Sequence, residues 1–141
     1  MSNDLMRFSV AMPEDLLVSF DRLVARRGLA KNRSEVIRDL VRDALIEEES
    51  ATPGTEVMGT LTIVFDHHAN DLQEKLHAIQ HDYFETIICS THVHLDQHSC
   101  LEVIVLRGEI GLVQGIADRI QGTKGVKNGR LAITTTDHHL F

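Results

Sequence analysis

His92-Val93-His94-Leu95-Asp96-Gln97-His98-Ser99-Cys100-Leu101-Glu102 is the stretch whose reading decides the fold. His92 and His94 alternate along what reads as a strand, and side chains at i and i+2 of a strand share a face. Leu95 to Ser99 is a polar turn. A hairpin centred on Gln97 sets His94 opposite Cys100 and His92 opposite Glu102. Opposed residues of an antiparallel pair project to the same face. Two imidazoles and a thiol therefore converge from neighbouring strands, with a carboxylate beside them. Those are three donors of a metal site. Glu102, facing His92, is a candidate acceptor for an imidazole N–H behind the ligands.

Working outward, the hairpin sits within a longer alternation of elements. Residues 57–65 read as a strand with Leu61, Ile63 and Phe65 on one face. A helix follows, with Asn70 as its cap and Leu72, Leu76 and Ile79 as its apolar stripe. Strands 86–95 and 99–107 form the hairpin, the second carrying Cys100, Glu102, Ile104 and Leu106 on one parity. Glu109 and Ile110 open a second helix with Leu112, Val113, Ile116, Ala117 and Ile120 inward. A last strand covers 130–136. The order β-α-β-β-α-β gives a ferredoxin-like sandwich, helices on one face of an antiparallel sheet. The other face is left to pack on another subunit.

The first fifty residues are a different module. Residues 6–12 alternate, with Phe8, Val10 and Met12 on one face and Arg7, Ser9 and Ala11 on the other. Pro13, Glu14 and Asp15 suit a helix N-terminus. Leu16, Leu17, Phe20, Leu23 and Val24 form its stripe, and Gly28 ends it. Asn32 caps a second helix, with Glu35 placed for a capping box and Val36, Ile37, Leu40, Val41, Ala44 and Leu45 as its stripe. One lone strand leaves its backbone groups unpaired. The simplest partner is the same strand of a second copy.

Composition bounds the function. The chain has 141 residues, a net charge of −7, nine histidines and two cysteines. Two cysteines argue against a disulfide framework. An acidic balance argues against indiscriminate nucleic-acid binding. The basic residues nevertheless cluster early, at Arg22, Arg26, Arg27, Lys31, Arg33, Arg38 and Arg42. That pattern is compatible with DNA binding through the first module only. No stretch is long enough to span a bilayer and no signal peptide opens the chain, which points to the cytoplasm.

The strand-helix-helix module resembles the ribbon-helix-helix DNA-binding domain, in which two chains pair their strands and the ribbon enters the major groove. The resemblance turns Arg7, Ser9 and Ala11 towards base edges. Arg7 suits guanine, and Ala11 offers only a methyl. The N–H groups near Arg33 and Ser34 would grip phosphate. Both modules in this order resemble the nickel-responsive repressors, a ribbon-helix-helix domain joined to an ACT-type domain. The motif at 92–102, Val-Leu-Arg-Gly at 105–108 and Asn-Arg-Ser-Glu at 32–35 carry the likeness. The resemblance implies two histidines and one cysteine from one chain, matching His92, His94 and Cys100. It implies a fourth ligand from the first ACT helix of a neighbouring subunit, by position His81. It further implies one Ni(II) per subunit, a homotetramer arranged as a dimer of dimers, a palindromic operator in double-stranded DNA, and control of nickel uptake genes. An N3S set with one thiolate suits square-planar Ni(II) or tetragonal Cu(II), whereas Zn(II) prefers a tetrahedron. The expected boundaries are a DNA-binding domain at 1–49, a linker at 50–56, an ACT-type domain at 57–136 and a tail at 137–141.

The remaining histidines and Cys89 are expected to be less engaged. Cys89, of opposite parity to His92 and His94, reads as a small core residue. His77 reads as part of a solvated helix face, and His98 as exposed in the turn. His67 and His68 could hold a second, weaker metal. His138 and His139 read as a frayed end. Ala11 departs from the polar residue that reads bases better, which bears on the operator sequence. Three rival readings stand beside it: a metal-independent ACT regulator sensing an amino acid, a metalloenzyme with Glu102 as its base, and an antitoxin. No nucleophile motif or phosphate loop supports an enzyme. The ordered pattern at 57–136 speaks against an antitoxin.

Overall fold

The computed structural model describes residues 4–28, 31–69 and 71–135. The chain divides into two compact units, 1–42 and 43–141. The first holds α1 (Glu14–Arg26) and most of α2 (Arg33–Ser50); among the described residues, the segment before α1 forms no strand. Pro13 precedes α1, Glu14 and Asp15 fill its first turn, and Gly28 follows with φ +118°. The Asn32 side chain accepts from the Glu35 N–H at 2.9 Å and starts α2, satisfying one of the orphan donors of a first helical turn. Arg33 forks onto both carboxylate oxygens of Asp21 at 2.8 Å, tying the two helices together.

The second unit contains β1 (Glu56–Asp66), α3 (Leu72–Asp82), β2 (Ile87–His94), β3 (Ser99–Glu109), α4 (Ile110–Gln121) and β4 (Val126–Thr134). The sheet order is β2-β3-β1-β4, and every neighbouring pair is antiparallel. This is the ferredoxin-like arrangement read from the sequence. β4 begins four residues earlier than expected. Among the described residues, no helix is long and apolar enough to cross a membrane.

One face of the sheet carries the core. Val57, Leu61, Ile63 and Phe65 of β1 meet Cys100, Ile104 and Leu106 of β3, beneath Leu72, Leu76 and Ile79 of α3 and Val113, Ile116, Ala117 and Ile120 of α4. At Gly59 a Cβ would come within 2.9 Å of a Val113 methyl, so glycine lets α4 lie close on the strand. Leu112, expected inward, is exposed; it sits at the first turn of α4, beyond the strip that meets the sheet. Cys89, expected in the core, is exposed as well. It pairs with Val105, of the parity opposite to buried Ile104 and Leu106, so its parity excludes it from the core.

Within the second unit, the segment after α2 is tied to the start of α4. Gly54 N–H donates to the Glu109 carboxylate at 2.9 Å, and Ile110 N–H to the Thr55 carbonyl at 2.9 Å. Glu109 also caps α4 by accepting from Leu112 N–H. Three backbone donors, those of Gly111, Gly54 and Leu112, hold its carboxyl below the usual range. The expected cap at Asn70 and the tail at 137–141 lie outside the described residues.

Candidate metal centre

The hairpin has the anticipated register. His94 pairs with Cys100 and His92 with Glu102. The turn is clamped by Asp96, whose Oδ1 accepts from His98 N–H at 2.7 Å and Ser99 N–H at 2.8 Å. Those donors hold the Asp96 carboxyl below its ordinary value.

Cys100 Sγ is fully buried. It lies 3.6 Å from His94 Nδ1 and 3.3 Å from His67 Nδ1. Donor atoms of His67, His94 and Cys100 all fall within 4.8 Å of one another. Burial pushes the Cys100 thiol above its ordinary range, and the Asp96 and Asp66 carboxylates add to the shift. A proton is thus held on sulfur until a cation displaces it, because a metal binds the thiolate.

His92 stands one pair further along the hairpin. Its ring packs edge-on against His94 at 4.9 Å and Phe65 at 5.7 Å. It lines a cleft of about 290 Å³ with His67, His94, His77, Gln80 and Glu102. Glu102 is nearly buried (8 % exposed), with Gln80 Nε2 3.3 Å from its carboxylate. His92 and Glu102 therefore lie together as the sequence suggested. His77 is exposed yet reaches the rim of the cleft. His81 is exposed at the end of α3 and is not among the residues lining the cleft. Within one chain, the structure brings His92, His94, Cys100 and Glu102 to one side of the sheet and leaves His81 outward.

His67 is the residue that sequence reasoning placed elsewhere. The alternation Leu61, Ile63, Phe65, carried one step further, falls on His67. Phe65 pairs with Cys100, and His67 N–H donates to His98 O at 2.8 Å, extending the ladder past the strand end. The signal was present in the period-2 pattern and was cut short at Phe65. His68 lies beside it, Nε2 3.0 Å from Gln97 O.

In the first unit Arg7, Ser9 and Ala11 are exposed on the extended segment, as are Arg33 and Ser34 at the start of α2. The Arg33 guanidinium is paired with Asp21.

The donor set, two imidazoles and a thiol whose donor atoms lie within 4.8 Å of one another, fits a borderline transition ion. Residues 58–134 match the family model described as NikR C terminal nickel binding domain, and residues 6–48 match the ribbon-helix-helix model of the copG family. A protein of Solibacter usitatus assigned as a nickel-responsive regulator is 52% identical over 94% of both chains. Another so assigned, from Trichlorobacter lovleyi, is 47% identical over 96% of this chain and 99% of its own. A third, from Pyrococcus abyssi, is 46% identical over 98% and 99%. An uncharacterized protein of Thermotoga maritima matches in fold alone, with a TM-score of 0.50 and 14% identity over 56% of this chain and 98% of its own. With a ribbon-helix-helix module at one end and a nickel binding domain at the other, the chain belongs to the nickel-responsive regulators.

Proposed function

We propose that the chain is a nickel-dependent transcriptional repressor whose metal lies between subunits. His92, His94 and Cys100 of one chain and His81 of a second chain are the ligands, one Ni(II) per subunit. The observation that carries this reading is the shared face of His92, His94 and buried Cys100 on a turn-clamped hairpin, with His81 exposed near the end of α3 and so open to a second copy.

Ni(II) held by His92, His94 and Cys100 of one chain and His81 of a second would supply a cross-link between the chains. Cys100 gives up its proton on binding. Glu102 orients His92 from behind. The bare sheet face, with Val93 and Ile88 exposed, is the surface on which the second-unit domains pack into a tetramer. Extended segments from two chains then pair as ribbons, placing Arg7, Ser9 and Ala11 in the major groove and the α2 N-termini, near Arg33 and Ser34, against phosphate. Occupancy of the metal sites biases the ribbon pairs towards the spacing of successive half-sites in a palindrome. The regulated genes are those of nickel uptake, and the protein acts in the cytoplasm.

The test is a gel shift on promoter DNA with Ni(II) or with chelator, repeated with Cys100→Ser. Nickel should tighten wild-type binding at least 100-fold, and Cys100→Ser should remove the effect together with the sulfur-to-nickel charge-transfer band. Equal binding in chelator would overturn the reading and favour a metal-independent regulator.

A further inference from the structure

We infer that the second unit carries a binding site for a small organic cation, an ammonium group on an aliphatic body, in the cavity bordered by the last turns of α2, the start of α4 and β4. The site goes beyond the nickel reading and owes nothing to the metal centre, since neither histidine nor cysteine lines this cavity. Its volume is about 760 Å³, and every lining residue lies within residues 43–141.

One face of α2 supplies much of the lining. Asp43, Ile46, Glu47 and Ser50 recur at i, i+3, i+4 and i+7, so they share a helix face, and all four border the cavity. Half-buried Ile110, Leu131 and Ile133 add apolar wall. The charges are of one sign: Asp43, Glu47 and Glu109 line the cavity, and no lysine or arginine does. Glu109 is already engaged by the N–H groups of Gly54 and Leu112. Asp43 and Glu47 are exposed, and among the described residues neither carboxylate has a hydrogen-bond or ion-pair partner. Nor does the helix neutralise them. The last turn of α2 holds no basic residue, whereas α1 ends on Arg26. A helix C-terminus carries partial negative charge of its own, so this corner favours a cation.

Ser50 points to a ligand independently of the charges. It is 3 % exposed, and its Oγ has no hydrogen-bond partner among the described residues. Buried hydroxyls are nearly always bonded, and a donor reaching Oγ from the cavity relieves the cost of leaving it unmade. An ammonium can give one N–H to Ser50 and keep the others for the neighbouring carboxylates. Its alkyl body then lies on Ile46, Ile110 and Ile133. Apolar walls with a few convergent polar groups are the usual form of a small-molecule site. The same walls disfavour a hard metal ion, which needs six or more oxygen ligands, and the acidic lining repels anions.

The experiment uses the full chain in chelator, which keeps transition ions out, with pentylamine alone as probe and isoleucine δ1-methyl NMR as readout. Pentylamine at millimolar concentration should shift the Ile46, Ile110 and Ile133 methyls saturably and leave those of Ile63 and Ile104, in the core, in place. Pentanol has the same body without the charge and should bind at least tenfold more weakly. Glu47→Gln should weaken pentylamine binding at least fivefold. Ser50→Ala should weaken it at least threefold without lowering the melting temperature of the free protein, because it removes an unpartnered hydroxyl; that separates ligation from folding. No saturable shift, equal affinity for pentanol, or Glu47→Gln binding as tightly as wild type would overturn the site. So would an amine affinity that falls as protein concentration rises, which gives the cavity to a side chain of a second copy. Nickel-dependent DNA binding tests the repressor reading instead and does not enter these spectra.

Discussion

The two units of this chain are finished to different degrees. In residues 43–141 the sheet and both its helices close over a core in which Leu61, Ile63, Ile104 and Val113 are fully buried. In residues 1–42 nothing on α1 is buried, while Phe8, Val10 and Leu16 stand 73, 60 and 54 % exposed. Both segments have the amphipathic patterning of folded elements. What differs is where the partner of each apolar face is encoded. The second unit carries its own helices; the first carries half of a core and half of a ribbon, and needs a second copy for the rest. A module that folds by pairing is suited to DNA, because its two-fold symmetry matches that of a palindrome.

Substitutions can break or sharpen that contrast. The largest expected effect is on the core: Ile104→Ala should cost about 2–5 kcal/mol of unfolding free energy, read by denaturant melts, and the loss should not depend on protein concentration. Leu16→Ala should give a smaller loss that, unlike the first, grows on dilution, because it weakens association of the first units. A smaller effect is expected at Gly59. Alanine there drives a Cβ against Val113 and should cost about 1–3 kcal/mol by overpacking, lifting α4 without altering the hairpin register. Asp21→Asn removes an exposed ion pair and should leave the melting temperature almost unchanged, since such pairs contribute little.

The pH dependence of the metal centre follows from the buried thiol. Burial raises Cys100, so at neutral pH the apo protein holds that proton, and binding releases it. Nickel affinity should therefore rise with pH, by about tenfold per unit for one released proton, until the pH passes the raised thiol value. Competition titrations at several pH values check the slope. Binding independent of pH above the imidazole range would place the thiolate outside the ligand set. Asp96 works in the other direction. Its carboxyl is lowered by the His98 and Ser99 N–H groups, so its stabilisation of the turn is present above the ordinary carboxylate value and fades as pH falls through the lowered one. Asp96→Asn should loosen the hairpin at neutral pH, seen as faster amide exchange at Ser99.

Much of the fold was legible because local patterns agree with one another. The spacing from His94 to Cys100 sets the register, and Asp96, within the polar turn, closes it through the His98 and Ser99 N–H groups. Asn32 and Glu109 were readable as helix starts for the same reason, a polar side chain placed to reach orphan N–H groups. What escaped was set by neighbours distant in sequence. Cys89 has strand periodicity, but only the one-sided placement of α3 and α4 tells which parity is buried. His67 lies beyond the end of β1, and its approach to Cys100 depends on the pairing of β1 with β3, two elements separated by a helix and a hairpin strand. Leu112 has helical spacing and sits in the turn before the helix reaches the sheet.

The most direct test of a nickel site shared between chains is complementation between two defective ones. His81→Ala and Cys100→Ser protomers each lack one donor, and in a cross-subunit site a mixed pair recovers one complete ligand set of its two. Mixing equal amounts under exchange conditions should restore about a quarter of the wild-type charge-transfer amplitude by random pairing, together with nickel-dependent DNA binding. A mixture no better than the sum of its parents, or His81→Ala alone giving the full planar nickel spectrum, would contradict a site completed across the interface.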